Sequence, residues 1–509
     1  MAYLIVAFLV ITLSLCYYLF TRKYDYWKKR NVPHLEPTTF FGNYKDYLLL
    51  KTYLPKVIGD ICKKFPNEPY VGAYFGTEPA LIVKDPEYLK LIMMKDFYYF
   101  NSREIRDFTD SEIITQNVFF ESGNRWKILR QNFTPLFSSA KMKKMFYLIE
   151  ECSTVLEKIL DDASTVPSTE ARYLMSRFTI DCIGSCVFGL NTECLAVNDS
   201  NNPFLHIGKK IFEMNNIRAL RSIGRALWPS VFYKLGFTAF PSEIGDFFSK
   251  LLVNVFEQRK YKDSGRHDFV DLMLSLKQNK YINGDSIANI KGDDKKTTMK
   301  VDNALLCAQA TIFFAAGYET SSATMSFALY ELAKNPEIQE RAIAEVDEYF
   351  KKNDKLSYES VNETPYLQAI TNETLRLYPV LGMLTREVVE DYTLPSGLVL
   401  NKDLRVHIPV YHLHRDPNNF PEPDTFRPER FLEPDTIKPF TYMPFGDGPR
   451  ICLGMRFAKM QMTAGLLTVF KKCRVELADD MPKTLEFDPR APTTQTGSGI
   501  NLKFIPRTY

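Results

Sequence analysis

Residues 2–20, AYLIVAFLVITLSLCYYLF, form an uncharged apolar run, and the chain beyond it mixes apolar and polar positions throughout. At the helical rise such a run spans about 28 Å, one hydrocarbon thickness. Arg22, Lys23, Lys28, Lys29 and Arg30 follow it rather than precede it. A cleaved signal has the opposite order, so the pattern predicts an uncleaved anchor whose basic flank holds the rest of the chain in the cytosol. Residues 21–43 read as a basic linker, stiffened by Pro33 and Pro37. Residues 44–509 read as one large domain. Within it, 70–83 (YVGAYFGTEPALIV) predicts a strand hairpin broken at Gly76 and Pro79. From about 125 to 335 helical periodicity dominates, around a polar middle at 191–203 and a Lys/Asp-rich segment at 289–300. The longest helix candidate is 301–333. Residues 381–410 predict short strands, 415–450 are proline-crowded, and the tail from 484 reads as strands and turns. The fold class is mainly α with a small β region.

Composition narrows the function. Of 509 residues, 45% are hydrophobic and 25% charged, which excludes wholesale disorder. Lys plus Arg number 64 against 61 acids, a net charge of +3, so no nucleic-acid partner is expected. The nine cysteines are scattered, with no CxxC pair, which points to a reducing compartment. Three Asn-x-Thr sequons, at Asn132, Asn362 and Asn372, would be glycosylated in a lumenal protein. The last lies in a segment expected to be buried, in keeping with a cytosolic body. Thirty-eight phenylalanines are enough for a large apolar core or ligand chamber.

One cysteine stands apart. Phe445-Gly446-Asp447-Gly448-Pro449-Arg450-Ile451-Cys452-Leu453-Gly454 is a glycine-rich loop followed by a helical pattern, MRFAKMQMTAGLLTVF. Amides at a helix start, with Arg450 two residues away, favour an ionised sulfur. Gly446 and Gly448 permit a tight turn, and Gly454 lets something flat approach closely. A phosphate-binding loop would need Gly-Lys-Ser/Thr, and a cysteine hydrolase a companion histidine motif; neither is present. The segment resembles the haem-binding signature of cytochromes P450, matching it at Phe445, Gly448, Arg450, Cys452 and Gly454. That resemblance implies that Cys452 is the axial ligand of haem iron, with Phe445 beside it. A thiolate ligand favours O–O cleavage.

Three further motifs follow the same family's order. Glu373-Thr374-Leu375-Arg376 places an acid and a base at i, i+3 on one helix face. With Arg430, it resembles the family's buried structural triad. Ala316-Gly317-Tyr318-Glu319-Thr320-Ser321 sits at the centre of the long helix and resembles the oxygen-activation motif, with Thr320 and Glu319 managing proton delivery. Read without the resemblance, it is a tolerated glycine and a threonine bonded back to its i−4 carbonyl. Trp126 and Arg130, at i, i+4, by resemblance contact the haem propionates together with Arg450 and Arg386. The likeness covers about residues 30–505 and is greatest to the insect microsomal type, family 6. Its supporting segments include Tyr26-Trp27-Lys28-Lys29-Arg30 and Phe40-Phe41-Gly42-Asn43.

The resemblance implies the cytochrome P450 fold and a monooxygenase that inserts one oxygen atom of O2 into apolar small molecules such as plant toxins or insecticides. Oxidation of an endogenous steroid, fatty acid or hormone is the alternative. It further implies NADPH electrons delivered by cytochrome P450 reductase, cytochrome b5 as a second partner, and an endoplasmic reticulum membrane with the catalytic domain facing the cytosol. Arg125, Lys127, Arg456 and Lys459 are candidates for meeting the acidic reductase. The chamber would draw on Phe119, Phe120, Phe313, Phe314, Leu381 and Leu384. Phe313 and Phe314 cannot both face it, since consecutive helix positions diverge by about 100°. A haem-thiolate isomerase would need no acid–hydroxyl pair, and a haem or lipophile carrier would consume no oxygen. His412 and His414, at i, i+2, lack further metal-ligand spacing and read as turn and packing residues.

Overall fold

The computed structural model describes residues 2–104, 106–196, 202–265, 268–433 and 436–507. The apolar run forms helix α1 (Ala2–Thr21), with none of its residues buried. By length and composition it is able to cross a membrane.

The expected linker is not a spacer. Trp27 is fully buried, and its indole N–H donates to the Ala73 carbonyl at 2.9 Å. Asn43 accepts the Tyr74 N–H at 2.8 Å. Gly42, at φ +60°, lies so close to this strand that a Cβ would fall 2.0 Å from the Tyr74 carbonyl oxygen. The chain from Tyr24 to Asn43 is thus part of the body. Its aromatic residues need a surface to cover, and the first hairpin supplies it.

That hairpin is β1 (Tyr70–Phe75) and β2 (Glu78–Val83), paired antiparallel as the pattern predicts. Helices α2 (Gly123–Phe133), α3 (Ser139–Ala163) and α4 (Ala171–Ile183) follow, the last preceded by a short strand, β3 (Thr169–Glu170). Glu170 caps α4, accepting the N–H groups of Arg172 and Tyr173. The polar middle runs as coil over 191–196, where the buried Asp181 carboxylate accepts the N–H groups of Cys194 and Leu195 at 2.8 and 2.9 Å. Residues 197–201 lie outside the described residues.

The Lys/Asp-rich segment forms the loop and second strand of a hairpin. Strands β4 (Tyr281–Asp285) and β5 (Lys296–Lys300) pair antiparallel, with Ile282 opposite Met299 and both buried in the main core. Then comes α5 (Asn303–Lys334), 32 residues and about 48 Å long, capped by Asp302 on the Leu305 N–H at 2.8 Å. It is buried along most of its surface by α4, the helix Ser242–Gln258 and the later helices α6 (Pro365–Leu377) and α7 (Met455–Lys472). Strands β6 (Leu384–Glu387) and β7 (Arg405–Ile408) join β1 and β2 in one sheet, ordered β1-β2-β7-β6. The tail closes a second sheet from β8 (Cys473–Leu477), β9 (Asn501–Pro506) and β3. A helix-rich body with a small β region is therefore what the chain builds.

Truncating Trp27 removes a large buried ring and a hydrogen bond. Trp27→Ala is expected to lower stability by about 3–5 kcal/mol, read as a falling denaturant midpoint of the detergent-solubilised chain. A linker that merely spaced anchor from body would leave the midpoint unchanged.

Candidate functional site

α5, α7, the Cys452 loop, α2 and β6 enclose one largely apolar cavity, with about 1430 Å³ of empty space including its open mouth. The loop that carries Cys452 is set by two glycines at positive φ, Gly446 (+72°) and Gly448 (+67°). At Gly448 a Cβ would sit 1.9 Å from the Met93 carbonyl oxygen, so only glycine fits. The Cys452 N–H donates to the Phe445 carbonyl at 2.8 Å, which turns the sulfur toward the cavity. Cys452 has accessible surface, but that surface faces the void inside the body.

The thiol's ionisation differs from the expectation. Burial pushes its pKa above the ordinary value, against the Gly454 N–H and the charges of Arg130 and Arg103. Arg450 does not serve the sulfur. It lies over the Trp126 ring at 4.7 Å and donates to the carbonyls of Phe119 and Glu121. The helix end alone does not hold a thiolate here; a cation in the cavity would.

Four guanidiniums line the same cavity: Arg103, Arg130, Arg386 and Arg450. Among the described residues no aspartate or glutamate lines it. Burial, then the charges of Arg386 and Arg130, pulls Arg103 down to about 9. Burial brings Arg386 to about 10 and lowers Arg130, and burial with the three neighbouring arginines lowers Arg450 further. The Nε atoms of Arg386 and Arg450 are buried without a partner. Such a cluster calls for anionic oxygens at the edge of an apolar ligand. Gly454 also borders the cavity, and a Cβ there would meet only Phe137, at 3.9 Å. An iron-bearing flat macrocycle with two carboxylates fits this donor set.

Across the cavity, α5 contributes Phe313, Ala316, Gly317 and Thr320. Gly317 has a packing reason of its own, since a Cβ would come 2.3 Å from Ile183 of α4. The Thr320 hydroxyl lies in the cavity wall and donates to the Ala316 carbonyl at 2.7 Å. Glu319 does not line the cavity. It is fully buried on another face of the helix, where it accepts from Arg172 at 2.6 Å and Gln495 at 2.8 Å. Burial pushes its carboxyl up against the pull of Arg172.

Of the six chamber candidates, Phe119, Phe313, Leu381 and Leu384 line the cavity; Phe120 and Phe314 do not. Phe120 packs edge-on behind Phe119 at 4.9 Å, and Phe314 is turned by the helical step toward Phe248 at 5.3 Å. Sequence reasoning missed Arg103, a single arginine in an aperiodic stretch, and Arg172, whose need could have been inferred from a glutamate inside a buried helix.

Glu373 and Arg376 on α6 are both fully buried and paired through two bonds, at 2.7 and 2.8 Å. The carboxylate also accepts the Arg427 N–H at 2.8 Å and faces Arg430 at 3.4 Å. Arg376 donates onward to the carbonyls of His414 and Pro423. This knot ties α6 to the proline-crowded segment below the Cys452 loop. His414 belongs to it. Its Nε2 accepts the Met443 N–H at 2.9 Å, and its Nδ1 lies 3.3 Å from the Arg376 carbonyl. No group of three or more His, Cys, Asp and Glu able to hold a metal ion occurs among the described residues.

The family model described as Cytochrome P450 matches residues 32–502. Cytochrome P450 6B2 of Helicoverpa armigera is 36% identical over 99% of this chain and 98% of its own length. Cytochrome P450 6B1 of Papilio polyxenes is 35% identical over the whole of both, and Cytochrome P450 6k1 of Blattella germanica 33% identical over 100% of this chain and 97% of its own.

Glu373→Ala leaves Arg376 buried without its counter-charge, a loss of about 3–5 kcal/mol. Little haem-containing protein is expected, read as haem absorbance per mass of protein; normal incorporation would contradict this role. His414 supplies a pH prediction. Burial, then the charge of Arg376, lowers its pKa to about 3, whereas an unfolded histidine titrates near 6.5. The unfolded chain protonates first, so the stability contributed by the neutral ring is complete above pH 6.5 and drains away as pH falls toward 3. His414→Asn should flatten the acid-side slope of unfolding free energy by up to one proton, measured from pH 6.5 to 4.

Proposed function

The chain belongs to the cytochrome P450 family and is a monooxygenase, and on that footing we propose that it oxidises apolar, partly aromatic small molecules, foremost xenobiotics such as plant toxins or insecticides. The observation that carries this reading is the cavity in which Cys452, four guanidiniums with no carboxylate among the described lining residues, Thr320 and an apolar wall meet. Haem iron bound there, with O2 as co-substrate, supplies the oxygen activation.

The residues divide the remaining work. Cys452 offers the sulfur ligand. Arg103, Arg130, Arg386 and Arg450, with Trp126 beneath Arg450, neutralise and orient the cofactor's carboxylates. Phe445 flanks the sulfur. Phe119, Phe313, Leu381 and Leu384 exclude water and hold the substrate by apolar contact. Thr320 keeps a hydroxyl proton at the oxygen-side wall, and Glu319, with Gln495, holds a titratable reserve one helix step away. Glu373, Arg376 and Arg430 keep the loop region in place.

α1 is read as the membrane anchor, in the endoplasmic reticulum with the body toward the cytosol. Electrons would come from NADPH through cytochrome P450 reductase, with cytochrome b5 as a second donor. Among the docking candidates Arg456 is exposed, Arg125 pairs with Glu121 at 2.8 Å, and Lys459 is half-buried with its pKa lowered by that burial. Lys127 lies beside Asp285.

The test is a reduced, CO-bound spectrum of the full chain, followed by turnover of apolar compounds with reductase and NADPH. Wild type should show thiolate ligation, and Cys452→Ala should lose it. Thr320→Ala should keep the spectrum but form at least about tenfold less product per NADPH. Protein that purifies without haem, or product formed without NADPH, would overturn the reading.

A further inference from the structure

Helix α2, GNRWKILRQNF, carries Trp126 and Arg130 to the cavity and buries Ile128, Leu129 and Phe133, while the rest of its surface is polar. At 100° per residue, Trp126 and Arg130 fall on one side, while Asn124, Ile128 and Gln131 fall on the opposite side. That far side is where the β4–β5 hairpin lies. The Asn124 side-chain oxygen accepts the Ile287 N–H at 2.8 Å and the Ser286 hydroxyl at 3.1 Å. Gln131 closes a two-way clasp on Asp285, accepting its N–H at 2.8 Å and donating to its carboxylate at 2.6 Å. Asn132 adds a bond to the Asn283 carbonyl at 3.3 Å. The approach is close enough that a Cβ on Gly284 would stand 2.6 Å from the Gln131 side-chain oxygen and 3.2 Å from the Ile128 Cα.

The tip of the same hairpin reaches two more segments. Lys291 lies over the rings of Tyr98 and Tyr99, at 3.7 and 4.4 Å, and pairs with Glu390 at 3.3 Å. Tyr98 donates to Glu390 at 2.6 Å, and the Glu387 N–H donates to the Ser102 carbonyl at 3.1 Å. Those segments deliver Arg103 and Arg386. Asn101 in turn accepts the Gly123 N–H at the start of α2, at 2.8 Å. The hairpin therefore touches three of the four chain segments that bring an arginine to the cavity, from their outer side.

We infer that the β4–β5 hairpin is an external brace for the cofactor's carboxylate-binding wall, and that Asn124 and Gln131 are positioning residues that act through Trp126 and Arg130. Like-charged guanidiniums push one another apart, and although α2 buries Ile128, Leu129 and Phe133 in the core, apolar packing is non-directional and leaves the helix's rotation and register to other contacts. Directional hydrogen bonds from its outer face supply the resistance. The inference rests on the haem reading for its haem-transfer and spectroscopic arms; the brace itself is testable without cofactor.

The experiment compares wild type with Asn124→Ala, Gln131→Ala and Lys291→Ala in the full, detergent-solubilised chain. It reads haem transfer to excess haem-free globin, the reduced CO-bound spectrum, and amide hydrogen exchange in haem-free protein. Gln131→Ala and Asn124→Ala should speed exchange in 123–133 and quicken haem transfer about tenfold, the scale of one or two hydrogen bonds, with more of the spectrum lacking thiolate ligation. Lys291→Ala, at an exposed position that folding tolerates, should speed exchange at 98–104 while sparing 123–133. Lys295→Ala, paired only with Asp293 inside the hairpin, should change nothing. Unaltered exchange and haem transfer in the first three variants, or equal acceleration across the whole chain, would overturn the brace. Faster exchange with unaltered haem affinity and spectrum would reduce the hairpin to a structural element and overturn the positioning role.

Discussion

Crowding of like charge around an apolar void is the constraint on which the rest of this protein depends. Arg103, Arg130, Arg386 and Arg450 share one cavity with no carboxylate among its described lining residues. Each loses hydration there, and the lowered pKa values of all four record the cost. Backbone carbonyls of Phe119, Glu121 and Thr385 offset part of it. They cannot cancel net charge, so the wall stays unbalanced until anionic oxygens arrive. Binding of the cofactor and completion of the fold are therefore coupled. Removing the cofactor should loosen the segments that carry these arginines before it loosens the core around α5.

A second buried charge cluster shows what a purely structural solution looks like. Glu373 and Arg376 are as deeply buried as any cavity arginine, yet the pair is electrically closed and every direction of the guanidinium finds an oxygen. Arg427 and Arg430 complete the carboxylate's shell. Nothing is left over for a ligand. The difference between the clusters is charge balance rather than depth, and it separates a knot that locks a loop from a wall built to receive something.

The features legible in the sequence were those with a local cause. The apolar run, the first hairpin and the long helix follow from periodicity, and the Cys452 loop from two glycines that must adopt positive φ. The Glu373–Arg376 pair could be read as neighbours because i, i+3 spacing fixes them on one face. What stayed hidden depends on partners far along the chain. Trp27 was assigned to a linker because its pocket is built by Ala73 and Gly72, which only the fold brings near. Arg103 sits in a stretch without period, and Arg172 opens α4, far along the chain from the Glu319 that it meets. The β4–β5 hairpin looked like a polar interruption because only Ile282 and Met299 of its strands are buried. Phe120 and Phe314 were misplaced for a related reason: an aromatic residue next to a lining residue faces the adjacent layer.

The pair Glu319 and Thr320 sharpens how protons must move. Adjacent on α5, their side chains diverge by about 100°, so a hydroxyl in the cavity wall compels the acid to lie outside it. The acid is held there by Arg172, whose side chain is 24% exposed and so joins this pocket to the surface. Oxygens on Glu319, Gln495 and Ser321 are buried without partners, and Ser321 also lines the cavity. Unpaired buried acceptors in a polar seam are the usual companions of ordered water. Arg172 thus connects Glu319 to the surface on the side of the helix away from the cavity. Burial raises the Glu319 carboxyl toward protonation while Arg172 opposes it, so in the proposed function the ion pair would set the supply. In the proposed function the transfer at the cavity wall falls to Thr320, and the two neighbours differ because the helix gives them different faces.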